Sequence, residues 1–164
     1  MTNRSAFLNR AALVLCVILS TACGPENELE QSPLTRQFIR VTKEVPAFGG
    51  VVRENGAWAV ALLDSEQREA AETKLRDIFN EEATNIAVRV RPTRGSASEE
   101  MKTAATDVLS VEGVGSLDYD ETTGYLRVGL TDVEAIGAAQ AKLNALGVPL
   151  EQVIFQAERP IVGL

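Results

Sequence analysis

The sequence predicts an α+β fold made of duplicated ββαβ units, and three observations lead there. Apolar residues alternate with polar ones in short runs closed by Gly-containing turns, the period-two pattern of strands. Between those runs, apolar residues recur every three or four positions, the spacing of a half-buried helix. The same series of strand, turn and helix signals then comes a second time at one constant spacing. Composition agrees, because 45% hydrophobic and 24% charged residues over 164 positions describe an ordinary globular chain of one domain.

Residues 1–22 read as an export signal. Arg4 and Arg10 make a positive start, Ala11 to Leu19 a short apolar core, and Ser20-Thr21-Ala22 a small-residue end. The core is too short for a bilayer span, which needs about 20 apolar residues. The small residues ending at Cys23 resemble the lipobox of bacterial lipoproteins, with Ser20 where that pattern prefers Leu and Leu19 one place earlier. The resemblance implies cleavage before Cys23 and a diacylglyceryl thioether on its sulfur. The protein is then anchored by lipid, facing the periplasm or the cell exterior. Gly24 after the cysteine, rather than Asp, points to the outer membrane if the cell is Gram-negative. The alternative is an ordinary cleaved signal with an incidental cysteine. Cys16 leaves with the signal, so the exported part has no disulfide, no thiol nucleophile and no thiolate metal site.

Residues 23–44 form an acidic, proline-bounded tether and then a short helix. Ser32-Pro33 is a helix start, with Leu34, Phe38, Val41 and Val45 at near-helical spacing before Pro46. The first ββαβ repeat occupies 45–93. Val51 to Arg53 and Ala57 to Leu63 are strands joined by Glu54-Asn55-Gly56, and Asn-Gly is the strongest short hairpin signal. Asp64 with Gln67 reads as a capping box for a helix carrying Ala71, Leu75 and Ile78. Ile86, Val88 and Val90 alternate as the closing strand. Residues 94–110 hold a linking helix capped by Ser98, with Glu99 and Glu100 in its first turn.

The second repeat, 111–164, follows the first. Gly49 meets Gly115, Val60 meets Val128, Leu62 meets Leu130, Asp64 meets Asp132 and Leu75 meets Leu143. Its helix stops at Gly147, and Val153, Phe155 and Ala157 form the last strand. The constant spacing sets Val88 against Gln156, so a one-residue loop difference is expected before that strand. From Ile86 onward the order strand, helix, strand, strand, helix, strand predicts a ferredoxin-like arrangement.

Chemistry is restricted by what is missing. The chain has no His, which removes the commonest general base and metal ligand and any Ser-His-Asp arrangement. A net charge of −7 opposes binding to nucleic acid. The chain is therefore read as a non-enzyme without cofactor or metal. Asp118, Asp120 and Glu121 sit near a turn, but the Gly and Glu positions of an EF-hand loop are not met, so a solvated hairpin turn is expected. Trp58 alternates with Val60 and Leu62 and is expected in the core rather than under a ligand. Arg89, Arg91 and Arg94 make a local basic stripe, either paired with neighbouring acids or docking an acidic partner.

Two family resemblances bear on function. Val111-Glu-Gly-Val-Gly-Ser-Leu-Asp-Tyr-Asp with the strand Leu126–Leu130 resembles heavy-metal-associated domains. Those carry a Cys-x-x-Cys loop, whereas the loop here, Pro92-Thr-Arg-Gly-Ser-Ala-Ser, has no soft ligand, so copper or zinc transport is excluded. Val45-Pro-Ala-Phe-Gly-Gly-Val-Val-Arg-Glu-Asn-Gly and the second-half segments Ser116–Val128 and Gly147-Val148 resemble pro-regions of secreted trypsin-fold serine proteases of the alpha-lytic and streptogrisin type. That resemblance implies folding and inhibiting a protease, with a C-terminal tail in its active site. The tail here is Arg159, Pro160, Ile161, Val162, Gly163 and Leu164, and Ile-Val-Gly resembles the mature start of such enzymes. The role would act on another chain, and an ordinary strand end is the plainer account of the tail.

The sequence is thus read as an envelope lipoprotein with a protein-binding domain, whose tail and open sheet edge contact an extracellular protease or envelope protein. The alternatives are a structural lipoprotein and a small-ligand sensor with a pocket beneath Trp58.

Overall fold

The computed structural model of the chain describes residues 31–160. The signal segment, Cys23, the start of the tether and Ile161–Leu164 lie outside the described residues. The fold is α+β, with six strands in one mixed sheet and four α-helices among the described residues.

Helix α1 (Pro33–Glu44) starts where Ser32 Oγ accepts the Thr35 amide at 3.1 Å and Pro33 needs no partner for a missing N–H. It ends at Val45, ahead of Pro46, which disfavours helical backbone in the residue before it. Strands β1 (Phe48–Glu54) and β2 (Ala57–Leu62) form the expected hairpin. Asn55 and Gly56 have φ of 51° and 81°, the pair of positive values a type I′ turn requires. The capping box at Asp64 takes a different form: Asp64 Oδ1 accepts the Glu66 amide at 2.9 Å, two residues on rather than three. A 3-10 turn, Ser65–Gln67, therefore precedes α2 (Arg68–Phe79). Strand β3 (Ile86–Val90) follows, and then α3 (Glu99–Ala105), capped by Ser98 Oγ on the Met101 amide at 3.3 Å.

The second half uses the same devices. Strands β4 (Val114–Asp120) and β5 (Tyr125–Leu130) pair as a hairpin. Asp132 Oδ1 accepts the Glu134 amide at 3.0 Å, and a 3-10 turn leads into α4 (Ile136–Ala145). Gly147, at φ 72°, closes that helix while Val148 N donates to Leu143 O at 3.0 Å. Strand β6 (Val153–Ala157) ends the sheet-forming part.

The strand order is β3-β2-β1-β6-β5-β4. In each half the hairpin is antiparallel, and its second strand pairs parallel with the strand that returns after the helix. The ferredoxin-like arrangement expected from Ile86 onward does not form. It would insert β3 between β5 and β6, but those two pair directly, and β3 pairs with β2 at the far edge. The crossover through α2 instead returns β3 beside β2 of its own half, setting Val60 against Val88 and Leu62 against Val90. Val88 pairs with Val60, and Phe155 with Val128.

These pairings line up as one row across all six strands: Val88, Val60, Val51, Phe155, Val128, Leu117. Five of the six are buried, Leu117 partly so. Val51 against Phe155 is the one residue pair that joins the halves in the sheet. Helix α1 lies over this seam, packed on β6, β1 and α2. Its Phe38, fully buried, places its ring 4.9 Å from Trp58 and 5.3 Å from Phe79. Buried Thr35 accepts the Val133 amide at 3.1 Å, so a hydroxyl of the first helix satisfies an orphan donor at the helix start of the other half.

Leu130 is fully buried on the helix-covered face. Leu130→Ala is expected to lower stability by about 2–5 kcal/mol in urea unfolding. A loss below about half a kcal/mol would contradict the β5 register.

Candidate binding cleft

The sheet has two faces, and strand alternation assigns them. Val51, Val60, Val88, Val128 and Phe155 point toward the helices and belong to the main core. Ala59, Ala61, Tyr125 and Ile154 are also buried, yet they stand outside that cluster, on the opposite face. Residues 91–97 cover part of that face. Tyr125 Oη donates to Pro92 O at 2.7 Å, Gly95 N to Thr123 O at 2.7 Å, and Ala97 N to Gly124 O at 3.2 Å. A side chain on Gly95 would place its Cβ 2.7 Å from both Gly124 O and the Tyr125 ring, so this close crossing requires glycine.

Beside this crossing lies a cavity of about 550 Å³. Val52 and Ala61 are on its floor, and Arg53, Arg89, Arg91 and Arg94 are among its lining residues, with Glu54 and Glu151 beside them. The stripe read from the sequence, Arg89, Arg91 and Arg94, is thus gathered at one cleft, but its members do different work. Arg91 is a clasp. Its Nη1 donates to Gly49 O at 3.1 Å and Val153 O at 2.8 Å, its Nη2 to Glu151 O, and its guanidinium lies 4.5 Å from the Tyr125 ring centre. One cation therefore holds β1 and the approach to β6 together, beside the single bridge of the seam. Arg94 Nη2 donates to Thr122 O at 3.0 Å. Arg89 faces Glu54 at 3.7 Å, and both side chains are about half exposed, a pairing worth little in water. Arg89 and Arg94 thus remain on the rim as accessible charge.

The other singled-out residues lie elsewhere. Arg159 and Pro160 follow the far end of β6 and do not line the cleft, while Ile161, Val162, Gly163 and Leu164 lie outside the described residues. Trp58 does not line it either; its ring packs on Phe38, with the Arg53 guanidinium 4.8 Å from its centre. Asp120 organises the β4–β5 turn: its Oδ1 accepts the Thr122 amide at 2.9 Å, and its Oδ2 accepts from Arg127 Nη2 at 2.6 Å. The bonds from Arg127, helped by Thr123, pull the Asp120 carboxyl from 3.8 down to about 2 against a smaller opposing effect of burial. Among the described residues no three His, Cys, Asp or Glu side chains converge to hold a metal ion. Sequence reasoning missed Tyr125, Gly95 and the acceptor carbonyls of Gly49, Glu151 and Val153, because nothing in a linear pattern marks a carbonyl as the target of a guanidinium some 40 or 60 residues away.

The cleft therefore offers guanidinium donors above a small apolar floor, a surface suited to an extended segment with carboxylates. The sequence matches no protein-family model and no curated protein. No helix among the described residues is long and apolar enough to cross a membrane.

Arg91→Ala is expected to destabilise the fold by about 1–3 kcal/mol, since charged donors are removed from partly buried carbonyls. Arg91→Lys should recover little of this, because an ammonium cannot span three acceptors in the same plane; full recovery in denaturant melts would contradict the clasp. Asp120 supplies a second measurable effect. Its folded carboxyl titrates below the ordinary value, so its contribution is complete above pH ~4 and is lost as pH falls toward about 2. Asp120→Asn should flatten that acid limb of a stability-versus-pH curve.

Proposed function

We propose that the protein is an envelope lipoprotein, anchored through Cys23, whose domain is a non-enzymatic binding module for another protein. The observation that carries the reading is the cleft: on a chain of net charge −7, Arg89 and Arg94 stand accessible beside an apolar floor of Val52 and Ala61. An acidic, extended segment of the partner fits that surface, and β3 at the sheet edge lies next to it.

We further propose that the two halves are tandem copies of one unit, longer than ββαβ because each begins with a helix. Shared hydrogen bonds support this. Leu63 N donates to Ala47 O and Thr131 N to Gly113 O, both at 2.8 Å, and Arg91 N donates to Leu62 O as Glu158 N does to Leu130 O, both at 2.9 Å. Both first strands carry an irregularity at the same place, between Phe48 and Gly50 and between Val114 and Ser116. Modules of this kind, with the similarity to protease pro-regions, favour an extracellular trypsin-fold serine protease as the partner.

The test is a titration of the detergent-solubilised full chain into a secreted protease of the alpha-lytic type. Peptidase activity should fall to a stoichiometric end point, and the double variant Arg89→Ala/Arg94→Ala should weaken the inhibition about tenfold or more. Undiminished activity at excess protein would reject the protease as partner. Cys23→Ala should move the protein from the membrane fraction to the soluble one; continued partitioning with detergent would reject the anchor.

A further inference from the structure

The sheet ends in two unlike edges, β3 and β4, and the contact between its halves shows how such edges meet. Inside the molecule β1, the first strand of one half, lies against β6, the last strand of the other, with α1 covering the junction. At the free edges the corresponding elements are unpaired: β4 is the first strand of its half, β3 the last of its own. We propose that a second copy of this chain docks head to tail, β3 of one molecule against β4 of the next, by the same operation that joins the halves.

The correspondence fixes a register. Val51 and Leu117 face Val60 and Val128 across their hairpins, and Phe155 and Val88 flank the same two residues on the other side. Val51 against Phe155 therefore translates into Leu117 against Val88 of the second copy, and the apolar row continues from one molecule to the next. Among the described residues, the exposed large hydrophobics are Val90, 49% exposed at the β3 edge, and Leu109, 46% exposed in the turn that packs on β4. Val90 corresponds to Ala157, since each faces the last residue of the central strand, Leu62 or Leu130. Ala157 is only 3% exposed, in the strand that α1 covers. The turn bearing Leu109 would cover Val90 of the second copy in the same way.

Charge complements the fit. In this antiparallel register Ser116 stands opposite Arg89 of the second copy. Ser116 Oγ donates to Glu158 Oε2 at 2.8 Å, and the other oxygen of that carboxylate, Oε1, is buried with no hydrogen-bond partner. The half-exposed Arg89, held only at 3.7 Å by Glu54, brings a donor to that oxygen. The edges also carry guards that keep the contact weak and reversible. Arg68 Nη2 donates to Val88 O at 2.8 Å, and Asp118 accepts the amide of Tyr119 at 2.8 Å.

The proposal does not depend on the protease reading. The test is sedimentation velocity of the full chain carrying Cys23→Ala, over a wide concentration range. Association should grow with concentration and pass beyond the dimer, into rings or open chains, because a head-to-tail dimer still presents one free edge of each kind. Val90→Lys and Leu109→Lys, both at exposed positions, should each weaken association at least tenfold while leaving the circular dichroism and melting temperature unchanged. Mixed together, they should form one-to-one dimers and nothing larger, since each retains one intact edge. Arg68→Ala should strengthen association. A chain that stays monomeric at every concentration, also with Arg68→Ala, would overturn the proposal, as would a dimer that neither edge variant affects.

Discussion

The two halves of the sheet meet at one residue pair, Val51 against Phe155, and the rest of the structure is arranged around that narrow join. A single backbone bridge is too little to hold two three-stranded sheets against the entropy of their separation. Three side-chain devices supplement it. Helix α1 lies along the seam and buries Phe38 against Trp58 and Phe79 on one side of the sheet. Arg91 ties carbonyls of β1 and β6. Thr35 closes the start of the helical segment in the far half. Helices and arginine act on different sides of the same seam, so the join is held from both.

This arrangement explains why the basic stripe has a divided role. Arg91 lies just past the end of β3, where its backbone N–H completes the pairing to Leu62 and its side chain crosses to the seam. Its counterpart in the second half is Glu158, whose N–H makes the same bond to Leu130. The two positions share a backbone role and carry opposite charges: one side chain clasps an internal junction, the other lies beside the free edge strand β4. The opposite charges thus sit where the surroundings differ, in one case a neighbouring strand and in the other an open edge.

The cleft follows from the same geometry. The second sheet face is floored by small residues, Ala61 and Val52 among them, and residues 91–97 cross it at Gly95 over the turn at Gly124. Because Arg91 is committed to the seam, the charges left on the rim belong to Arg89 and Arg94. The rim of the cleft and the junction are therefore built from one short segment, and a change at Arg91 acts on both.

Element types were legible from local pattern alone. The Asn55-Gly56 turn, the Ser32 and Ser98 caps, the Gly147 stop and the alternation of β2, β3, β5 and β6 are each decided by nearest-neighbour backbone chemistry, which a linear sequence displays. Strand order was not. Nothing local distinguishes β3 inserted between β5 and β6 from β3 returned beside β2; that choice depends on which apolar faces meet after the α2 crossover. The role of Arg91 was hidden too, since its partners are backbone carbonyls, present at every residue and selected only when the chain is folded. Sequence by itself determined the elements and the supply of charge, because these rest on contacts within a few residues. Tertiary structure alone decided the strand order, the seam and the division of the arginines between clasp and rim, because these rest on contacts between distant segments.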